Sequence, residues 1–225
     1  QEIAYNSCGN RHCPKCGWSA QADWLARQAE TVLPVAYHHV VFTVPAVLKP
    51  VFLSNRGEAY RLLFEAVSET LLEVAANPRH LGARIGFTAV LHSWTQLLEF
   101  HPHIHCIVPS GGLAPDGKWR RGRGRFFLPT EVLWRVFRGK LLSKFEAAML
   151  VGRLPGEAPG DKEALRAASR KRWVVFAKTP TAGARQVLTY LSRYTFRVAI
   201  SNSRILGVDD SRVRFRYKDR AHGNR

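Results

Sequence analysis

The sequence predicts an α+β domain built on an antiparallel sheet, preceded by a small cysteine-rich module. Three observations carry this. β-branched and aromatic runs alternate with helical periodicities in the order strand, helix, strand, strand, helices, strand, helix, strand. That order suits an antiparallel sheet with helices on one or both faces. A hydrophobic content of 46% and an aromatic content of 11% over 225 residues supply a packed core and exclude disorder throughout. Three of the four cysteines crowd between Cys8 and Cys16, which suits a metal better than a disulfide framework.

Residues 1–20 are short, cysteine-rich and turn-rich, and residues 24–31 predict a short helix that links this module to the rest. The run Tyr37-His38-His39-Val40-Val41-Phe42-Thr43-Val44 predicts a strand that Pro45 ends. Tyr60, Leu63, Phe64, Val67, Leu71 and Val74 recur at three- and four-residue steps, an amphipathic helix stopped near Asn77-Pro78. Residues 85–93 and 104–108 predict two strands joined by a turn around residues 99–102. Residues 111–125 combine five glycines with Arg120, Arg121, Arg123 and Arg125 and predict a mobile basic loop. A helix follows at residues 131–150, a breaker at 155–160, a short helix at 161–170, a strand at 173–178, a helix at 184–194 and a last strand at 212–218. The division this implies is a metal-binding module at residues 1–30 and a main domain at 31–225. The chain opens on Gln1 and closes on Ala221-His222-Gly223-Asn224-Arg225, and the expectation is that both ends lack a piece.

Lys plus Arg is 34 and Asp plus Glu is 17, a net charge of +17. A polyanionic partner follows, and nucleic acid foremost, because cations on a phosphate backbone release counterions. No run of about 18 apolar residues is present, so no membrane span is expected. No signal peptide is expected ahead of the fold, and the reducing cytoplasm is the default compartment.

The segment His101-Pro102-His103-Ile104-His105-Cys106-Ile107-Val108 places His103 and His105 on one face of a strand and Ile104 and Cys106 toward the core. Two imidazoles side by side can bind one divalent ion; alone, such a pair also fits an ordinary half-exposed strand. A third ligand would come from the preceding strand. Gln96 and His92 both have the parity to share that face. Gln96 is preferred over His92, because it is nearer the turn and its neutral oxygen suits Mg²⁺ or Mn²⁺.

Tyr190 and Tyr194 stand at i and i+4 of the helix at residues 184–194, so their hydroxyls share one face, with Arg185, Arg193 and Arg197 nearby. A phenol with a pKa near 10 is a poor nucleophile at neutral pH unless metal or arginine stabilises charge on the group attacked. An isolated pair at this spacing is better read as an aromatic stripe packed on a sheet.

Cys13-Pro14-Lys15-Cys16 is a Cys-x-x-Cys knuckle, with Cys8 and His12 close by, and this spacing suits tetrahedral Zn²⁺. Cys13 and Cys16 are the firmest ligands. His12 is the weakest, since adjacent residues rarely both reach one ion. A sulfur-rich site of this kind is structural, with Arg11 and Lys15 offering phosphate contacts.

His103-Ile104-His105 on a strand, then Tyr190 and Tyr194 on a helix of a very basic chain, resembles the HUH endonuclease superfamily. More closely, the chain resembles the two-tyrosine rolling-circle transposases of the insertion-sequence-ninety-one group. Tyr5-Asn6-Ser7-Cys8 with Arg11-His12-Cys13-Pro14-Lys15-Cys16 resembles that family's zinc module. His38 through Pro45 resembles its first strand motif. Residues 87–94 leading into His101–His105 and Pro109-Ser110-Gly111-Gly112-Leu113 resemble its metal motif. Phe137-Arg138-Gly139-Lys140, residues 190–202 and Lys218-Asp219 complete a series in family order over nearly the whole chain. The family usually carries a further Cys-x-x-Cys upstream, and a histidine is common where Phe196 stands.

The resemblance implies an HUH-type, ferredoxin-like antiparallel sheet and a metal-dependent transposase that nicks and rejoins single-stranded DNA at transposon ends and target. Mg²⁺ or Mn²⁺ would sit at His103, His105 and a third ligand. Tyr190 and Tyr194 would form the covalent 5′-phosphotyrosine bond. Arg120, Arg121, Arg123, Arg125, Arg193 and Arg197 would contact DNA; Trp119 would either stack on a base or pack into the core or loop. A bacterial, nucleoid-associated protein is implied. The rival readings are a replication initiator or relaxase, a non-catalytic DNA-binding remnant acting as a repressor, and a zinc-stabilised RNA-binding protein.

Overall fold

The computed structural model describes Cys8, residues 13–122, 128–154 and 159–181, Thr189, Ser192 and residues 200–217. Helix α1 spans Pro14–Thr31 and strand β1 Tyr37–Thr43. A 3₁₀ turn at Ala46–Leu48 leads into α2 at Lys49–Ser54 and α3 at Arg56–Ala76. Strands β2 (Thr88–Trp94) and β3 (Phe100–Pro109) follow, then a small hairpin of β4 (Gly111–Leu113) and β5 (Trp119–Arg121). Helices α4 (Thr130–Leu150) and α5 (Pro159–Ser169) precede β6 (Val174–Thr181). A second hairpin of β7 (Ile205–Val208) and β8 (Val213–Phe215) closes the described chain.

The main sheet has the order β2-β3-β1-β6, with every neighbouring pair antiparallel. Its strands and long helices follow the β-α-β-β-α-β sequence of an α+β domain. Alternation along the strands gives the sheet two unlike faces. Val40, Phe42, Ile104, Cys106, Val108 and Val175 form one, and all are buried. Helices α2 to α5 cover that face through Phe52, Leu63, Val67, Leu133, Phe137 and Phe145, among others. Phe42 and Trp173 each meet Phe137 edge-on at 5.1 Å. Truncating such a ring to alanine costs about 3–5 kcal/mol. The opposite face carries His39, Val41, Thr43, His92, His103 and His105, and α1 covers one end of it by packing Trp24 against Tyr37 and Ile107.

Local chemistry sets the element ends. Asn55 caps α3 by accepting a hydrogen bond from the Glu58 amide at 3.2 Å, so the helix begins a turn before Tyr60. Asn77, held extended before Pro78, stops it. Lys140 and Lys144 of α4 reach Glu65, Glu69 and Glu73 of α3. These half-exposed pairs fix the helix pairing at little gain in energy.

Four expectations change. The linking helix starts at Pro14 rather than residue 24, because proline suits the first helical position and Cys13 stands extended before it. The turn between β2 and β3 lies at residues 95–99, earlier than expected, closed by the Thr95 amide on the Glu99 carbonyl at 3.0 Å. The glycine- and arginine-rich stretch is a hairpin up to Arg121, with Gly112 so close to the Arg84 carbonyl that a Cβ would stand 2.4 Å from it. The last strand is shorter, at Val213–Phe215, and pairs with Ile205–Val208, a strand the sequence reading missed. Of the expected helix at residues 184–194, Thr189 and Ser192 are described and helical, with the Ser192 hydroxyl donating to the Thr189 carbonyl at 2.9 Å.

Candidate metal centre

His103 and His105 are brought to one face of β3 by strand alternation, as expected, with Ile104 and Cys106 fully buried on the other. In the register of β2 on β3, His92 stands directly opposite His103. Imidazole nitrogens of His92, His103 and His105 all lie within 4.8 Å of one another. The ring centroids are 5.5 Å apart for His92–His103, 4.8 Å for His92–His105 and 4.9 Å for His103–His105. Three imidazoles converging in this way fit a divalent ion.

The third place beside the pair therefore holds His92, which corrects the preference for Gln96. Gln96 lies in the turn beyond Trp94, where its backbone carbonyl accepts from the Arg204 guanidinium at 2.8 Å. The physical reason is the place of the turn: it lies at residues 95–99 rather than 99–102, so β2 ends at Trp94, Gln96 falls inside the turn, and the residue of the same parity that remains on the strand is His92.

Two further contacts orient the rings. His103 Nδ1 donates to the His101 carbonyl at 2.7 Å, which leaves its Nε2 lone pair free for an ion. His39 of β1 lies across the sheet from this cluster and stacks on His105 with 2° between the rings. His39 Nε2 is 2.8 Å from His105 Nδ1. When His105 donates in this pair, its own Nε2 is the ligand atom. Burial, followed by the charge of Lys178, lowers the pKa of His39 to about 4. Burial lowers that of His103 to about 4 as well, against its hydrogen bond to His101. Both rings are therefore neutral at pH 7 and offer lone pairs. His39 was quoted in the first strand motif but had no role there, because its approach to His105 depends on strand order.

The second cluster is the cysteine module. The Sγ atoms of Cys8, Cys13 and Cys16 lie within 4.8 Å of one another, and Cys8 and Cys16 are 3.6 Å apart. Tetrahedral zinc with bonds of about 2.3 Å spaces its sulfurs by about 3.8 Å, so these thiols fit the ion. Cys16 sits in the first turn of α1 and Cys13 immediately before it. The fourth cysteine, Cys106, is apart from both sites, and burial pushes its thiol pKa upward.

Tyr190, Tyr194, His12, Arg123, Arg125, Arg193 and Arg197 lie outside the described residues. Arg120 is tied down: its guanidinium donates to the Leu81 and Gly82 carbonyls at 3.4 and 3.2 Å. Arg121 is exposed. No helix among the described residues is long and apolar enough to cross a membrane.

Residues 86–225 match the family described as "Putative transposase", and residues 1–44 match the "Transposase zinc-binding domain" of the IS91 group. The chain belongs to this transposase family and carries its zinc-binding domain. It is 49% identical to "Putative transposase y4qJ" of Sinorhizobium fredii over 100% of this chain and 59% of that protein. It is 29% identical to the transposase of insertion sequence element IS801 of Pseudomonas savastanoi pv. phaseolicola, over 95% of this chain and 52% of that one. The chain thus spans little more than half the length of these relatives. Among solved structures it overlaps the conjugative relaxase TrwC in complex with oriT DNA with a TM-score of 0.40 and 14% identity, over 71% of this chain and 70% of that chain.

Proposed function

We propose that this chain nicks and rejoins single-stranded DNA during rolling-circle transposition, through a 5′-phosphotyrosine intermediate. The observation that carries the reading is the convergence of His92, His103 and His105 on the sheet face opposite the core, in a chain of this transposase family. Residues 31–225 form the nuclease unit, and residues 1–30 the zinc module that steadies it.

His92, His103 and His105 would hold Mg²⁺ or Mn²⁺, which when bound polarises the scissile phosphate and stabilises charge on it. The hydroxyl of Tyr190 or Tyr194 attacks phosphorus. The new bond joins the tyrosine oxygen to phosphorus, which keeps its bond to the 5′-oxygen; the P–O3′ bond breaks, and the proton lost by the phenol is balanced by the one that the leaving 3′-oxygen takes up as a hydroxyl. Because the phosphodiester energy is kept in the tyrosine ester, a 3′-hydroxyl reverses the step without ATP. The second tyrosine permits a second cleavage before strand exchange. Arg121, Arg123, Arg125, Arg193 and Arg197 bind the backbone of the transposon end and target, and the working location is the bacterial nucleoid.

The test is a labelled single strand spanning the element end, incubated with Mn²⁺. A covalent protein–DNA adduct is expected. It disappears in the double change Tyr190→Phe, Tyr194→Phe, and again in His103→Ala, His105→Ala. An adduct that survives both changes overturns the mechanism, and DNA binding with no adduct in the unaltered chain favours a non-catalytic repressor.

A further inference from the structure

The face that bears the histidines continues past Ile107 and Thr88 into a cleft of about 250 Å³. Tyr37, Phe87, Ile107 and Trp119 give it apolar and aromatic walls, and Gln28 and Thr31 of α1 stand at it as polar groups. Ile107 lies two residues along β3 from His105, and Thr88 four along β2 from His92. At about 3.3 Å per residue, the cleft is about 7 to 13 Å from the cluster. That is a few nucleotide steps at about 3.4 Å rise each.

Three observations decide the occupant. The volume is below the roughly 300–1,000 Å³ of sites for drug-sized ligands and suits one planar group. Trp119 is 39% exposed on a short hairpin, and its ring packs so closely on Gly111 that a Cβ there would meet two ring atoms at 2.8 Å. Glycine thus makes room for the indole, which stays partly exposed for stacking. Among the described residues, those lining the cleft include no carboxylate. Arg121, two residues along β5, shares the Trp119 side of the hairpin and is exposed, so a cation stands where a phosphate attached to the stacked group would run.

We propose that this cleft is a nucleobase pocket: it takes one unpaired base of the strand whose phosphate lies at the histidine cluster, stacks it on Trp119 and reads its edge with Gln28 and Thr31. Identification of the strand rests on the proposed function. The pocket also gives the zinc module a task in recognition, since α1 grows directly out of the cysteine knuckle and supplies one wall.

The experiment measures binding of a fluorescent single strand spanning the element end, without added Mg²⁺ or Mn²⁺, against a set of strands each lacking one base. One abasic position should weaken wild-type binding by about 5- to 150-fold, the range for a base stacked on an aromatic side chain. Trp119→Ala should show the same loss on the intact strand and no further loss at that abasic position, while Trp119→Phe keeps most of the affinity. Gln28→Ala should change which base is preferred at that position alone. Wild-type affinity in Trp119→Ala, or an abasic penalty undiminished in that variant, overturns the pocket. Adduct formation with Mn²⁺ is scored in parallel. An adduct without this coupling sinks the pocket and leaves nicking intact; coupling without an adduct does the reverse.

Discussion

His39 Nε2 and His105 Nδ1 are 2.8 Å apart, on stacked rings from neighbouring strands, and both side chains are buried. The contact selects the tautomer of His105 and so decides whether its Nε2 carries a lone pair or a proton. Partners that orient a ligand histidine are worth about 10–100-fold in metal affinity. His39→Ala should lower Mn²⁺ affinity by that factor in a calorimetric titration, and His39→Gln, which keeps an acceptor, should recover part of it. Unchanged affinity in His39→Ala would show that the pair is only packing.

His92 and Gln96 separate cleanly by the same measurement. His92 sits opposite His103 and shares its nitrogen cluster, while Gln96 belongs to the turn. His92→Ala should abolish measurable Mn²⁺ binding and Gln96→Ala should leave it within about twofold, since removing one of three ligands weakens chelation where a turn residue does not. Mn²⁺ affinity that falls in Gln96→Ala and holds in His92→Ala would restore the glutamine as ligand.

The contrast shows what the sequence makes legible. Strand alternation is local, so the common face of His103 and His105 and the burial of Ile104 and Cys106 follow from spacing alone. The third histidine and His39 depend on register and strand order, which are non-local. A turn at residues 95–99 instead of 99–102 is enough to take Gln96 off the strand and leave His92 opposite His103. The long helices were readable from apolar periodicity, whereas α1 was read short because Cys13-Pro14-Lys15-Cys16 looks like a turn, although proline also opens helices. The hairpin of β4 and β5 hid in a glycine-rich run whose strand character comes from close backbone approach at Gly112.

Zinc and α1 should be lost together. The thiols of Cys13 and Cys16 lie at the start of the helix, and α1 packs on the sheet through Trp24, with Val32 and Val35 just beyond its end beside it. Cys13→Ser or Cys16→Ser should purify without stoichiometric zinc and show lower helicity by circular dichroism, with Trp24 becoming more exposed to quencher. Their Mn²⁺ affinity should stay near wild type, because the histidine cluster is carried by β2 and β3. Retained zinc in both variants would place the ion on other ligands.

Acid should unfold the metal-free chain through its buried histidines. His38 is 3% exposed on the core face, and burial lowers its pKa below 6.5, against a backbone hydrogen bond with Lys178. A depressed histidine pKa means that the unfolded chain takes up a proton where the folded one does not. The contribution is complete above about pH 6.5 and is lost as pH falls below that value, by up to about 1.4 kcal/mol per pH unit for each such group. His39 and His103, both lowered to about 4, carry the loss down to about pH 4, below which both states are protonated and the slope ends. Melting temperatures between pH 8 and pH 4.5, without added Mn²⁺, should therefore fall steadily below pH 6.5. His38→Leu should give a shallower fall by removing one proton-linked site from the core, and a slope identical to wild type would mean that His38 is already protonated in the fold.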